Sequence, residues 1–304
     1  MKPIECTVIF GPTAVGKSGF LYENFPDAPL HVISADSMQV YRHFDVATAT
    51  PSQEDRNKFP HSLINEIDPS EEFSVTQFLN RADEACRTAR QENRHPILLG
   101  GTALYIRTFL FGMDDMPDKN PAYREKLRKK ARETSRGNIH DRLKEIDPQA
   151  ADKIHPNDLK RVIRALEIHH ETGQTKTELT SEDTLRSHLE PTVIGLRRDR
   201  EELDDRIRAR IHRMLENGLV DEIRALRKKW DVSETLQQAI GFQSVSEYLD
   251  DKITKDEMFQ KIHDRTYQLV RKQETWYKKI PVDRWFHPDQ DYEELIATVG
   301  NQFD

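Results

Sequence analysis

Over the first hundred positions, short apolar runs alternate with stretches of helical periodicity. Residues 4–10 read as a strand that stops at Gly11-Pro12. Residues 30–33 read as a second, running into Ser34-Ala35-Asp36, and residues 97–99 as a third that ends at Gly100-Gly101. Between the last two, Phe78, Leu79, Ala82, Ala85, Cys86 and Ala89 recur at the three- and four-residue spacing of an amphipathic helix over 75–90. Strands alternating with helices predict an α/β fold built on a parallel, doubly wound sheet. Ligands of such sheets gather at the carboxyl ends of the strands.

The pattern breaks at residues 113–121 and is purely helical from there to Pro191. Within this stretch Asn157 or Asp158 can cap a helix whose Leu159, Val162, Ile163 and Leu166 form a buried stripe. Lys160, Arg161 and Arg164 fall on its other side. Residues 192–196 then read as a strand, as though the sheet resumes. The expected organisation is a core in two parts, 1–116 and 192–304, with an all-helical domain inserted at 117–191. Leu203, Ile207, Ile211, Met214 and Leu215 mark a further amphipathic helix. A long helix is expected over 255–279, and Trp285-Phe286 fits a short edge strand.

No apolar run approaches the ~18 residues of a membrane span, which excludes a helical integral membrane protein. The first residues lack a signal-peptide pattern, and two cysteines, Cys6 and Cys86, are too few for a disulfide framework or a four-cysteine zinc site. A cytoplasmic monomer with reduced thiols is expected. The net charge of −7 speaks against general attraction to polyanions, but it is unevenly spread. Residues 119–144 hold ten basic side chains against three acidic ones, and residues 261–279 hold six against two. Such zones fit either solvated helix faces or a localised polyanion site.

Gly11-Pro12-Thr13-Ala14-Val15-Gly16-Lys17-Ser18 fits the pattern G-x-x-x-x-G-K-[ST] directly after a strand. The glycines let successive N–H groups turn toward an anion at a helix N-terminus, the lysine adds a point charge, and the serine hydroxyl can hold Mg²⁺. The motif identifies a phosphate site without saying whether phosphates are transferred, hydrolysed or expelled. Asp36, at the end of the second strand, suits a Mg²⁺-side acid, a general base or a helix cap.

Several segments together resemble the tRNA dimethylallyltransferase family in its bacterial form. They are GPTAVGKS at 11–18, ISADSMQVYR at 33–42, PHSLINEIDPSEEFSVTQF at 60–78, PILLGGTALYIR at 96–107, NDLKRVIRALEI at 157–168, AIGFQSVSEYL at 239–249 and RKQETWYKK at 271–279. The resemblance implies a P-loop NTPase-like core. It also implies transfer of a dimethylallyl group from dimethylallyl diphosphate to N6 of the adenosine 3′-adjacent to the anticodon in tRNA, with release of pyrophosphate. Loop residues Gly11 to Ser18 would hold the diphosphate, with Mg²⁺ on Ser18. Asp36 would be the general base and Thr102 would contact the tRNA at the reaction centre. Asp36, Ser37, Met38 and Gln39 match the family's contact with the flipped adenosine. Its tRNA-contacting strip falls on Lys160, Arg161, Val162, Ile163 and Arg164, with a further contact at Arg124.

Near the C-terminus Arg271, Lys272, Lys278 and Lys279 flank Trp276 and Tyr277, a mixture suited to neutralising an RNA backbone and stacking on bases. Arg206 and Arg210, four apart on one helix, can reach the pyrophosphate. The chain departs from the family where Ala47-Thr48-Ala49-Thr50-Pro51 replaces Gly-Thr-Ala-Lys-Pro, where His61-Ser62 replaces a histidine pair, and over residues 19–25. Three other readings share the loop: an ATP-dependent small-molecule or nucleoside kinase, an RNA-binding protein without catalysis, and a prenyltransferase of free adenine nucleotides. The kinase leaves both basic zones idle, and a mononucleotide needs little of that cationic surface.

Overall fold

The structure, a computed structural model, describes residues 2–114, 116–180 and 183–303. It divides into two compact units, Met1–Gly112 with Leu185–Asp304, and Met113–Thr184. Asp115, within the break in the sequence pattern, lies outside the described residues.

The first unit is built on strands β1 (Ile4–Phe10), β2 (Leu30–Ala35), β3 (His61–Ser62), β4 (His95–Gly100), β5 (Leu189–Leu196) and β6 (Arg284–Phe286). They form one parallel sheet in the order β3-β2-β4-β1-β5-β6. Central β1 is apolar over Val8, Ile9 and Phe10, all fully buried, as a strand covered on both faces must be. Helices bury their apolar stripes in the same core. Val75–Gln91 opens in a Ser74–Gln77 capping box and buries Phe78, Ala82, Ala85, Cys86 and Ala89. Arg200–Glu216 buries Leu203, Ile207, Ile211 and Met214. Lys255–Tyr277 opens in a Thr254–Glu257 capping box and buries Met258, Ile262, Val270 and Tyr277.

The register brings four strand ends together. Phe10 lies opposite Gly100 on one side and Gly195 on the other, and Ala35 lies opposite Gly100. At Gly100 a Cβ would sit 2.4 Å from the Ala35 carbonyl, so β2 and β4 close to this distance only over a glycine. The turns after β1, β2, β4 and β5 therefore share one end of the sheet.

Several boundaries differ from the sequence pattern. β2 continues to Ala35, because Ser34 and Ala35 pair with Leu99 and Gly100. The long helix ends at Tyr277, with Lys278 as its cap. β5 starts at Leu189 rather than Thr192, since Leu189, Glu190 and Pro191 pair with Ile4, Glu5 and Cys6. Pro191 looked like a stop, yet its missing N–H costs no bond here, because β6 pairs only with Ile194 to Leu196. The short β3 carried no pattern that the sequence reading used.

The second unit is helical, with Pro121–Glu133, Arg136–Ile146, Pro148–Lys153 and Leu159–Thr172 as its larger elements. Asn120, Ser135, Asp147 and Asp158 cap these four helices in turn. Tyr123, Leu127, Ile139, Leu143, Val162, Ile163 and Leu166 give the unit a hydrophobic core of its own.

β2, β3 and β4 each carry a histidine into the first unit. His31 Nε2 bonds the Ser62 hydroxyl at 2.8 Å, His61 Nε2 the Tyr22 hydroxyl at 3.1 Å, and His95 Nε2 the Thr7 hydroxyl at 2.8 Å. His31 Nδ1 is buried without a partner among the described residues. Burial lowers all three pKa values, those of His61 and His95 to about 4. Below the ordinary value of 6.5 the unfolded chain thus takes up protons that the native state refuses, and stability falls with pH through the window from 6.5 to 4. Urea titrations should show an unfolding free energy steady above pH 7 and falling below 6.5, by up to about 1.4 kcal/mol per pH unit for each histidine. His95→Asn should flatten that slope, and an unchanged slope would remove His95 from the effect.

Candidate active site

The loop after β1 turns through Ala14 and Gly16, both at positive φ (66° and 107°), and the helix Lys17–Asn24 begins with no side-chain cap and no acidic residue in its first turn. Uncapped N–H groups at a helix start form an anion site. Lys17 Nζ donates to the carbonyls of Gly11 at 2.8 Å and Pro12 at 2.9 Å. Burial lowers its pKa to about 7, partly offset by the negative charge of Asp36. An incoming diphosphate favours the ammonium form and so draws a proton onto this nitrogen.

Three arginines that follow β5 brace the site. Arg198 Nε donates to the Val15 carbonyl at 2.8 Å, and its buried guanidinium pairs with Glu202 and Asp289. Arg206 Nε donates to the Ala14 carbonyl at 2.7 Å. Arg210 Nη2 donates to the Thr48 carbonyl at 3.2 Å, inside the cavity. Arg198 went unnoticed in the sequence, although a basic residue just past a strand end next to a phosphate loop was the available signal.

The turns after β2 and β4 are tied to each other. Asp36 Oδ1 accepts the Met38 N–H at 2.9 Å, so the carboxylate closes its own turn rather than capping a helix. The Ser37 N–H donates to Thr102 Oγ1 at 3.1 Å, and the Thr102 N–H to the Ala35 carbonyl at 3.0 Å. Because Thr102 Oγ1 accepts here, its own proton is left for another partner. The Gln39 side chain accepts from the Ser34 hydroxyl at 2.7 Å, which holds it to the scaffold.

Thr13, Lys17, Ser18, Asp36, Thr102 and Lys272 line one cavity of about 530 Å³. Its other wall is apolar, with Ile207, Ile211 and Met214 from one helix and Ile262 and Leu269 from another. Phe44 and the segment 47–51, where the chain departs from the resembled family, form a third side. There Glu222 accepts the N–H groups of Val46 at 2.8 Å and Ala47 at 2.9 Å. Trp276, beside Lys272, carries Lys279 Nζ over its ring at 5.0 Å. Arg271, Lys272, Lys278 and Lys279 are exposed.

In the second unit the expected strip divides. Lys160 and Arg161 are exposed, and Arg161 lies 3.3 Å from Asp158. Val162 and Ile163 are buried in the unit's core, so their side chains pack and present nothing to a ligand. Arg124 and Arg164 both bond Glu167 at 2.6 Å, and Arg164 also bonds the Pro117 carbonyl at 2.7 Å. Burial alone would raise the Glu167 pKa, but the two guanidiniums and the Asn120 N–H hold it at about 2.

Glu167 was not singled out in the sequence, where it reads as one more charge on a charged helix. Its stabilising share is present above about pH 4.5 and is lost as pH falls toward 2. Glu167→Ala strands two guanidiniums and should destabilise the helical unit by about 3–5 kcal/mol, seen as an early far-UV transition on heating. An unaltered melt would contradict this arrangement.

Comparison with known proteins gives a consistent picture. The IPP transferase family model matches residues 39–280. The chain is 38% identical to a tRNA dimethylallyltransferase of Halothermothrix orenii, over 96% of this chain and 90% of that protein. It is equally identical to one of Thermoanaerobacter sp. strain X514, over 97% and 96%. Among solved structures, the tRNA isopentenylpyrophosphate transferase of Bacillus halodurans is similar with a TM-score of 0.70 and 33% identity, covering 99% of this chain and 97% of that one. A eukaryotic dimethylallyltransferase solved acting on tRNA gives a TM-score of 0.83 at 26% identity, covering 100% and 79%.

Proposed function

This chain belongs to the IPP transferase family, and we propose that the cavity of its first unit is where the two substrates of that chemistry meet. It is an enzyme that transfers a dimethylallyl group from dimethylallyl diphosphate to tRNA; the kinase reading is not favoured. The acceptor is N6 of the adenosine 3′-adjacent to the anticodon, taken out of the anticodon stem-loop stack. The observation that carries this reading is one cavity lined by Lys17 of the phosphate loop, by Asp36 and Thr102, and by an apolar wall.

The diphosphate rests on the loop's N–H groups and Lys17, with Arg206 and Arg210 beside it. These positive groups stabilise the charge that grows on the departing diphosphate as the allylic C–O bond breaks. The isoprenyl tail lies against Ile207, Ile211 and Met214. N6 attacks the allylic carbon, and Asp36 takes the proton that N6 loses. Thr102 donates its remaining O–H to the acceptor base.

Ser18 lines the cavity next to Lys17, and no group of three or more His, Cys, Asp or Glu able to hold a metal occurs among the described residues. This donor set fits a Mg²⁺ held by Ser18 together with water and substrate oxygens. Mg²⁺ bound there supplies further positive charge against the leaving diphosphate.

The anionic partner is met by Lys160 and Arg161 on the inserted unit and by Arg271 and Lys272 on the long helix. Arg124 and Arg164, locked on Glu167, reach tRNA only with the part of their charge that the carboxylate leaves. A monomer working in the cytoplasm completes the proposal. Cys6 and Cys86 are free. No helix among the described residues is long and apolar enough to cross a membrane.

The direct test is nucleoside mass spectrometry of unmodified tRNA incubated with the protein, Mg²⁺ and dimethylallyl diphosphate, without ATP. One isopentenyl group on adenosine is expected, and no gain with folded protein and several tRNAs would refute the reading. Asp36→Asn should lower kcat by about 10²–10⁴-fold with tRNA affinity kept within a few-fold. Loss of affinity in step with kcat would deny Asp36 the role of base. Charge reversal at Lys160 and Arg161 should reduce the slope of log affinity against log salt by about 0.7–0.9 per lost phosphate contact. A slope equal to that of the unaltered protein would exclude the strip from the interface.

A further inference from the structure

Along the buried stripe of the helix Lys255–Tyr277, spaced four and three apart, Ile262, Thr266, Val270, Gln273 and Tyr277 succeed one another. An amide and a phenol at core positions need partners, and both find them in backbone. Gln273 Oε1 accepts the Thr13 N–H of the phosphate loop at 3.1 Å, and Gln273 Nε2 donates to the Gly101 carbonyl at 2.9 Å. The Tyr277 hydroxyl lies 3.0 Å from the carbonyls of both Gly11 and Gly101. Gly11 and Thr13 belong to the loop that follows β1, and Gly101 immediately precedes Thr102. Two side chains of one helix therefore span the loop proposed to hold the diphosphate and the turn proposed to face the acceptor.

The fit is close. A Cβ on Gly101 would come within 2.6 Å of Gln273 Nε2, so the turn and the amide have been shaped to each other. Gln273 also lines the cavity, but its carbonyl and amino groups are both engaged by backbone and it is only 8% exposed. It thus acts on the reaction through the groups it holds. The Thr13 N–H is withdrawn from the anion cradle by the same contact.

We propose that Gln273, assisted by Tyr277, is a positioning residue for the transfer: it fixes the separation between the diphosphate loop and the Gly101-Thr102 turn. The proposal rests on the reading of the cavity given above. A nucleophile and a leaving group held by different strand ends react only if those ends keep their spacing, and a misplacement of about 1 Å can cost about 100-fold in rate.

The test is steady-state transfer by the full chain with Mg²⁺, dimethylallyl diphosphate and an unmodified tRNA transcript. Gln273→Glu keeps the volume and an acceptor for Thr13 but turns an oxygen toward the Gly101 carbonyl. It should lower kcat by about 10–100-fold while leaving tRNA affinity within about twofold and the melt within a few degrees. Gln273→Met loses both bonds, so KM for dimethylallyl diphosphate should rise as well. Tyr277→Phe should give a smaller fall, and the double variant Gln273→Glu with Tyr277→Phe should depart from the product of the two singles, because they share Gly101.

A folded Gln273→Glu with kcat within twofold of the unaltered protein would overturn the proposal. So would a loss of tRNA affinity parallel to the loss of kcat, which would make Gln273 an RNA contact. If Gln273→Glu melts early, Tyr277→Phe decides, and an unchanged kcat there overturns the proposal. Absence of product from the unaltered protein would instead remove the reading of the cavity, and this inference with it.

Discussion

The close approach of β2, β4 and β1 at their carboxyl ends is the constraint on which the rest of the site depends. Gly100 has no room for a side chain against Ala35, and Gly101 has none against Gln273. Because these two positions carry no Cβ, the turn bearing Thr102 lies against the turn bearing Asp36 on one side and faces the phosphate loop on the other. The Gly101 carbonyl then accepts from Gln273 and Tyr277, both buried, so an oxygen taken from water by this packing regains two partners. Loosening either glycine would move Thr102, Asp36 and the loop together, since the hydrogen bonds that join them are all to backbone.

Charge in the two units is handled in opposite ways. Around the cavity, Lys17, Arg206 and Arg210 rest on carbonyls of Gly11, Pro12, Ala14 and Thr48, and among the described residues no carboxylate lies within ion-pair distance of them. Neutral acceptors hold such groups in place while leaving their positive charge for an anion, and the low dielectric of a part-buried cavity strengthens that attraction. Arg198 is the exception. Paired with Glu202 and Asp289, it contributes shape by pinning the Val15 carbonyl. In the helical unit the balance reverses: Glu167 absorbs Arg124 and Arg164, while Lys160 and Arg161 stay at the surface.

The sequence displays these features unequally, for physical reasons. β1, β4 and the phosphate loop are legible because a buried parallel strand is a nearly unbroken apolar run and the loop's spacing is dictated by backbone geometry. The insertion is legible through capping residues and stripes at helical spacing, down to Asp158. Its C-terminal limit is not, because Pro191 sits on a strand margin where no ladder bond is missing. Charged residues show only their sign, so Arg124, Arg161 and Arg164 look alike until Glu167 is found beneath two of them. Val162 and Ile163 lie between two cations in sequence, yet their period of 3.6 turns them into the core. What Gln273 binds is set by residues 172 and 260 positions away, which no local pattern reveals.

The departure at residues 47–51 can be weighed by the same reasoning. Ala47 is helical and 8% exposed, so its methyl group fills core space and nothing in its conformation asks for glycine. Ala49 takes φ +50°, a left-handed conformation that costs an alanine roughly 1–2 kcal/mol. That strain is held by contacts of the residues before it: Glu222 binds the two N–H groups of Val46 and Ala47, and the Thr48 hydroxyl bonds the Phe44 carbonyl at 2.7 Å. Thr50, where the family carries a lysine, bonds the Thr48 hydroxyl at 2.7 Å and adds no charge. Arg210 hangs from the Thr48 carbonyl of this same segment, so the positive charge on that side of the cavity is positioned by this turn.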